Sequence, residues 1–178
     1  MIAFLNGCSS KEHLLFNNVP IDGHLEKFTS ELTKSGFILS DSTKRNEIKL
    51  YGEFLNKDCT IYIWGTNKNN LTYKVMVNLP VEVPDSLQYS FEKMQKLYSS
   101  KYGNGKSRYQ QYQSPARFLF NEPKLRRQIR QGDYTKFNLD SGIITLEVRD
   151  GYISITYLDK LNYEIRKSER TTENNEEL

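Results

Sequence analysis

The chain has 178 residues, of which 37% are hydrophobic and 26% charged, and 25 Lys and Arg against 22 Asp and Glu give a formal net charge of +3. This is the composition of a globular domain, at a size that buries a core without disulfides or metals. Two His and two Cys are too few for a Cys/His metal cluster, and no apolar run reaches the about 20 residues of a membrane-spanning helix. We therefore expect one domain with no metal and no cofactor.

The N-terminal segment 1–12 contains a possible lipidation site. Leu5-Asn6-Gly7-Cys8 resembles a lipobox, in which a small residue precedes a cysteine that receives the lipid. A signal peptide needs a basic region and about 7 to 15 apolar residues before this point, and only five residues stand there. Two interpretations stay open. Cys8 is a lipidation site after a truncated lipoprotein signal, or the segment is a frayed terminus with an incidental thiol.

The first half of the chain predicts one helix and then a run of strands. A helix is expected over 22–36, where Asp22 can cap its start and Gly36 can end it. Short polar turns then separate four strand-like runs, at 37–41, 47–54, 58–65 and 70–79. Short connections favour antiparallel pairing of neighbouring strands. Alternation in the third run places Cys59 on its apolar face, so we expect a buried, reduced thiol; pairing with Cys8 is the alternative.

The second half repeats this order more weakly. A second helix is predicted from Asp85-Ser86 to Gly103, because its apolar residues recur at helical spacing. Three further strands are expected at 134–139, 142–149 and 151–158, with Asp150-Gly151 as the hairpin turn between the last two. The acidic end of the chain, 169–178, has no apolar residue except its final Leu and predicts a disordered tail.

These elements predict an α+β fold with two helices packed on a mainly antiparallel sheet, formed by a single domain over 13–168. Each half has a helix followed by three or four strands, which indicates a pseudo-repeat. This layout is similar to small envelope domains typified by the β-lactamase inhibitor protein and the outer-membrane assembly lipoproteins. The similarity concerns the fold alone.

One phrase resembles a known family. Residues 16–23 read Phe-Asn-Asn-Val-Pro-Ile-Asp-Gly, and further similar stretches lie at 58–61, 101–103, 142–146 and 155–162. On these residues the chain resembles an uncharacterised family of secreted proteins and lipoproteins from gut Bacteroidales. The resemblance implies export to the cell envelope and supports the lipobox. It implies no activity and no catalytic residue.

The charge of the chain is unevenly distributed. Eleven basic and two acidic residues lie between Lys93 and Lys136, a net charge of +9, which leaves −6 for the remainder. Within this stretch the basic, Tyr-rich segment 106–130 combines cations that bind anions with aromatic rings that stack. It is the predicted contact surface, and its predicted binding residues are Arg108, Tyr109, Tyr112, Lys124, Arg126, Arg127 and Arg130.

No residue pattern predicts a catalytic site. Neither histidine lies in a sequence-local carboxylate or Ser/Cys pattern that suggests a catalytic triad, so His13 and His24 are interpreted as polar surface residues. We expect a non-enzymatic, exported binding module of the cell envelope, with a protein, an anionic glycan or a membrane surface as partner. One alternative is a cytoplasmic or phage-related protein that binds nucleic acid or another protein through the same segment. The other is an enzyme whose site the sequence does not reveal.

Overall fold

The computed structural model describes residues 12–41, 44, 46–81, 86–109 and 130–176. Its helices are α1 (Leu25–Lys34), α2 (Ser86–Tyr102) and α3 (Lys160–Glu176). Its strands are β1 (Leu15–Phe16), β2 (Val19–Pro20), β3 (Ile38–Leu39), β4 (Glu47–Glu53), β5 (Asp58–Gly65), β6 (Thr72–Pro80), β7 (Lys106–Arg108), β8 (Tyr134–Asn138), β9 (Gly142–Arg149) and β10 (Tyr152–Asp159).

Eight strands form one antiparallel sheet in the order β3-β4-β5-β6-β10-β9-β8-β7. The predicted α+β class is therefore confirmed. Each half contributes a helix and then four strands that pair in sequence order, and the last strands of the two halves, β6 and β10, meet at the centre. This mirrored order is the predicted helix-plus-meander pseudo-repeat.

The apolar core lies on one face of this sheet, where every second residue of the central strands is buried. In β5, for example, Ile61 and Ile63 are fully buried, whereas Tyr62 between them is partly exposed. Phe28 of α1 and Phe91 of α2 belong to the same buried cluster. The core thus runs under both halves, and both helices cover the face that it occupies.

Several hairpins have left-handed turn residues, and two of these turns bear on the sequence predictions. In the predicted hairpin between β9 and β10, Arg149 pairs with Tyr152, and Gly151 has a φ of 75°. The hairpin between β1 and β2 was not predicted. Its two-residue loop, Asn17-Asn18, has φ values of 48° and 63°, which fits a type I′ turn because asparagine tolerates this region better than most residues.

The prediction that Asp22 caps α1 is wrong. His24 occupies the N-cap position without a side-chain cap bond, and the backbone N–H of Leu25 donates to the carbonyl of Asn70 at 2.8 Å. Because this bond and the β-bridge between His24 and Leu71 hold the chain in place, the helix begins two residues later than a cap at Asp22 would allow.

The predicted disordered tail from Glu169 is also corrected. Residues up to Glu176 belong to α3, a third helix that begins directly after β10. The Asp159 carboxylate accepts the backbone N–H of Asn162 at 2.9 Å and so caps the helix start. The carboxylate of Glu169 is buried against the turn between β5 and β6, which anchors the helix at this end of the sheet.

Candidate functional site

The sheet face opposite the core carries polar, charged and aromatic side chains, and we call it the open face. Its members are the residues that alternate with the buried ones on the central six strands. Most of them are partly exposed. The open face comprises Glu47, Lys49, Tyr51, Thr60, Tyr62, Trp64, Lys74, Met76, Asn78, Tyr134, Lys136, Ile143, Thr145, Glu147, Arg149, Tyr152, Ser154, Thr156 and Leu158.

Trp64 is the best-fixed aromatic side chain of the open face. Its Nε1 donates to Oε2 of Glu47 at 2.7 Å, and the Nζ of Lys74 lies 4.1 Å from the centre of its ring. The ring of Tyr62 stacks beside it, with centroids 5.9 Å apart. Burial lowers the pKa of Lys74, and the nearby Glu47 carboxylate opposes this shift. The indole is therefore held by Glu47 and Lys74 from the two adjacent strands and by Tyr62 of its own strand.

A second cation–aromatic group lies one strand further toward the β3 edge. The Nζ of Lys49 lies 4.8 Å from the ring centre of Tyr51 and 5.8 Å from that of Tyr62. A hydrogen bond to Tyr51 raises the pKa of Lys49, and the same bond lowers the pKa of Tyr51. This half of the open face thus presents ammonium groups beside aromatic rings, an arrangement that attracts both anionic and aromatic groups.

The centre of the open face contains two buried polar oxygens that no described residue hydrogen-bonds. Asn78 of β6 and Ser154 of β10 are directly opposite each other in the register. The Oδ1 of Asn78 and the Oγ of Ser154 are buried, and neither has a hydrogen-bond partner in the described part of the chain. Such atoms are uncommon in folded proteins, because an unpaired buried polar group costs about 1 to 3 kcal/mol.

The other edge of the open face is basic. In β7 the hydroxyl of Ser107 lies 2.9 Å from Oγ1 of the buried Thr135, on the core side, so Lys106 and Arg108 point to the opposite side. Lys106 is directly opposite Lys136, and Arg108 is opposite Tyr134. We call Lys106, Arg108 and Lys136 the basic edge. None of the three forms an ion pair within the described residues.

The predicted binding residues are only partly assembled by the structure. Arg108 lies in the basic edge, whereas the neighbouring Tyr109 points toward α2, since Gln95 Nε2 lies 3.3 Å from its hydroxyl oxygen. Arg130 lies just before β8, where its backbone N–H donates to Asp133 Oδ2 at 2.9 Å. The other predicted binding residues and the predicted lipidation site lie outside the described residues: Tyr112, Lys124, Arg126, Arg127 and Cys8.

His13 is more than the surface residue predicted from sequence. Its Nδ1 lies 3.2 Å from Oδ2 of the fully buried Asp159. Asn162 donates from Nδ2 to the carbonyls of Ile21, at 3.1 Å, and Thr72, at 2.7 Å. This buried polar group joins the N-terminal hairpin, β6 and α3, and its geometry accounts for a structural role. Asp159, an N-cap residue type placed directly after a strand-like run, is the sequence signal of this helix start.

Cys59 is buried, as predicted, at a relative exposure of 6%, and it forms no disulfide with a described residue. Burial raises the pKa of its thiol to about 11, with a smaller contribution from Asp58. A thiol with this pKa is almost wholly protonated at neutral pH and is therefore a poor nucleophile. Its place in β5 makes it part of the core.

The described residues include no group of three His, Cys, Asp or Glu side chains placed to hold a metal ion. Among the same residues, no helix combines the length and apolar character needed to cross a membrane. No family model, curated protein or solved structure matches the chain. The resemblance to secreted proteins of Bacteroidales stays a prediction.

Proposed function

We propose that the protein is a non-enzymatic binding module of the cell envelope that holds a protein partner on the open face of its sheet. The observation that carries this proposal is the asymmetry of the sheet. Helices and core cover one face, whereas the other presents fixed aromatic and cationic side chains across its central strands, with the Trp64 and Lys74 contact as the clearest example.

The chemistry of the open face fits a protein better than a small molecule. Tyr, Trp and Arg are the residues enriched at the energetic centres of protein interfaces, because they offer large contact areas together with polar groups. The open face contains all three types, as Tyr62, Trp64 and Arg149 illustrate. Trp64 has its rotamer fixed by Glu47 and Lys74, so binding would cost little side-chain entropy there.

Site-specific photocrosslinking tests this proposal in the cells from which the protein comes. A benzophenone amino acid replaces Tyr62 or Tyr134 on the open face, or Tyr89, which is 69% exposed on α2. We expect one discrete protein adduct from the open-face positions and none from Tyr89. Equal adducts from Tyr89, or no adduct from either open-face position, would contradict the proposal.

Substitutions then locate the energetic centre of the interface. In the chain that carries the benzophenone amino acid, Trp64→Ala is expected to remove the adduct. Loss of a central tryptophan costs about 2 kcal/mol or more of binding free energy. Lys74→Ala should weaken the adduct as well. The matched control is Lys27→Ala on α1, which removes an exposed lysine from the covered side of the molecule and should leave the adduct unchanged.

The proposed location in the cell envelope is supported by the family resemblance and by the lipobox-like residues around Cys8. Cell fractionation combined with metabolic labelling by an alkyne fatty acid tests it. We expect the native protein in the envelope fraction, with label that Cys8→Ser abolishes. Recovery of unlabelled protein in the cytoplasmic fraction would contradict the lipid anchor and the location together.

A second candidate function, nucleic-acid binding, is favoured by the cations of the basic edge, which form no ion pair with any described residue. Its test is binding of a single-stranded oligonucleotide and of heparin over a series of salt concentrations. Nucleic-acid binding predicts affinity for the oligonucleotide that falls steeply with salt and is lost in the double variant Lys106→Glu/Arg108→Glu. Failure to bind either probe excludes this candidate.

A further inference from the structure

We propose that β7 is a docking edge for an extended, acidic segment of the protein partner, which adds to the sheet as a further strand. This inference rests on the proposed function and specifies the chemistry of the partner. It starts from the basic edge, Lys106, Arg108 and Lys136. Lys106 and Arg108 lie on the outermost described strand, β7, and Lys136 lies beside them on β8, on the same face of the sheet.

The direct pairing of Lys106 with Lys136 violates the usual rule for cross-strand neighbours. Like charges directly opposite each other destabilise a sheet, since their Cβ atoms are only about 4.5 to 5.5 Å apart. No described carboxylate pairs with either of them. An arrangement that opposes stability and lacks internal compensation is expected at sites that bind something else, and the chemistry required here is negative charge.

The spacing along β7 fits alternate residues of an extended peptide. Lys106 and Arg108 are two positions apart on a strand, which corresponds to about 6.6 Å. Carboxylates at alternate positions of an added strand have the same spacing and would lie on the same face as the two cations. Within the described residues β7 is the last strand of the sheet, so backbone groups along its outer side can pair with such a peptide.

The neighbouring side chains favour this ligand over a nucleic acid that crosses the face. Going inward from Arg108, the register leads to Tyr134 and then to Glu147. A phosphate chain that crosses the strands would approach the Glu147 carboxylate, although Arg149 lies 2.7 Å from it. A strand that runs along the outer side of β7 contacts the cations and is separated from Glu147 on β9 by both β7 and β8.

Binding of synthetic peptides to the full chain, measured by calorimetry at low salt, tests the inference. The probe is an acetylated, amidated peptide of alternating Thr and Glu, and the control peptide has Gln in place of every Glu. We expect binding of the Glu peptide and at least about tenfold weaker binding of the Gln peptide. Equal binding of the two peptides, or no binding of the Glu peptide, overturns the inference.

Charge reversal locates the site. Lys106→Glu/Arg108→Glu should weaken binding of the Glu peptide at least about tenfold and create binding of the matching Thr-Lys peptide. The control variant, Lys93→Glu/Lys96→Glu, makes the same change in net charge at two exposed positions of α2 and should bind the Glu peptide like the native chain. Equal loss in both variants would indicate general charge attraction and overturn the assignment to β7.

Backbone methylation separates strand addition from charge attraction. In one Glu peptide the amides of the Thr residues are N-methylated, and in a second peptide those of the Glu residues are methylated. An added strand uses the amides along one of its sides, so we expect one methylated peptide to lose binding and the other to retain it. Retention by both, or loss by both, overturns strand addition.

An oligothymidylate of matched charge completes the comparison. If it binds the basic edge more tightly than the Glu peptide and loses affinity in Lys106→Glu/Arg108→Glu, the edge is a nucleic-acid site and the inference is wrong. The outcome is independent of the photocrosslinking experiment. If the peptides do not bind but the open-face positions still form their crosslinked adduct, only the inference about β7 is overturned. If the open-face positions form no adduct, the proposed function is overturned.

Discussion

The Nδ1 atom of His13 lies 3.2 Å from Oδ2 of Asp159, although 146 positions separate the two residues in sequence. The same carboxylate accepts the backbone N–H of Leu14 and that of Asn162, each at 2.9 Å. Asp159 thus connects the segment before β1, the end of β10 and the start of α3. Its side chain is fully buried, so these partners replace water as its source of hydrogen bonds.

Removal of this carboxylate should destabilise the fold. We expect Asp159→Ala to lower the free energy of unfolding by about 3 kcal/mol, because two buried backbone donors lose a charged acceptor. Urea denaturation measures the change. Asp140→Ala, at an exposed position in the turn before β9, serves as control and should alter the free energy by less than about 0.5 kcal/mol. Equal unfolding midpoints for the two variants would contradict the structural role of Asp159.

The second prediction concerns the end of α3. Glu169 accepts the backbone N–H groups of Asn67 at 2.7 Å and Lys68 at 3.1 Å, and its carboxylate lies 3.7 Å from Nη1 of Arg166. Glu169→Ala should lower the free energy of unfolding by about 2 kcal/mol. The control Thr172→Ala, on an exposed part of the same helix, should have little effect. A disordered tail would show no difference between them.

The third prediction concerns alkaline pH. Tyr98 and Tyr157 share a hydrogen bond in the core, and burial raises the pKa of both phenols. In the unfolded chain a tyrosine ionises near pH 10, so above this pH the unfolded state binds fewer protons than the folded one. Stability should therefore be intact below about pH 10 and then fall by up to about 1.4 kcal/mol per pH unit for each tyrosine.

The alkaline prediction is checked by urea denaturation between pH 8 and about pH 11, in a Cys59→Ser background that removes ionisation of the thiol. The double variant Tyr98→Phe/Tyr157→Phe should lose much of the decline above pH 10. Tyr89→Phe, at an exposed tyrosine, should retain it. If the free energy of unfolding declines equally steeply in the double variant, other groups cause the loss of stability at alkaline pH.

The fourth prediction concerns the centre of the open face. Ser154→Ala removes a buried hydroxyl that has no partner within the described residues, so the free energy of unfolding should stay constant or rise by up to about 1 kcal/mol. Ser107→Ala is the comparison, and it should change the free energy of unfolding in the opposite direction. Its hydroxyl lies within hydrogen-bond distance of Thr135 and Gln95, and its removal should cost about 1 kcal/mol. Destabilisation by Ser154→Ala would show that its hydroxyl is paired.

Strands and helices with clear periodicity could be predicted from sequence. Alternation of apolar residues located β5, β6, β9 and β10, because one face of each strand is buried and the other is not. The hairpin of β1 and β2 was not predicted, because strands of two residues are too short to show an alternation of apolar and polar residues. Its Asn17-Asn18 turn was the available signal.

The polar docking of α3 and the open face were beyond sequence reasoning for different reasons. The helix attaches through buried Asn162 and Glu169 rather than an apolar stripe, so its residues resemble a solvated tail. The contact between Lys74 and Trp64 depends on strand register and on side chains of two strands. Composition predicted a basic surface near Arg108, but only the strand order shows that Lys106 and Lys136 are neighbours.

The meeting of β6 and β10 at the sheet centre has a consequence for how the chain folds. Strands β3 to β6 pair with sequence neighbours, so their hydrogen bonds close short loops, whereas pairs such as Val77 with Ile155 join positions 78 residues apart. Closing this long loop costs conformational entropy that the local hairpins do not require. Pairing of β6 with β10 is therefore the step that we expect to limit the folding rate. Each meander can form its own hairpins before the two halves join.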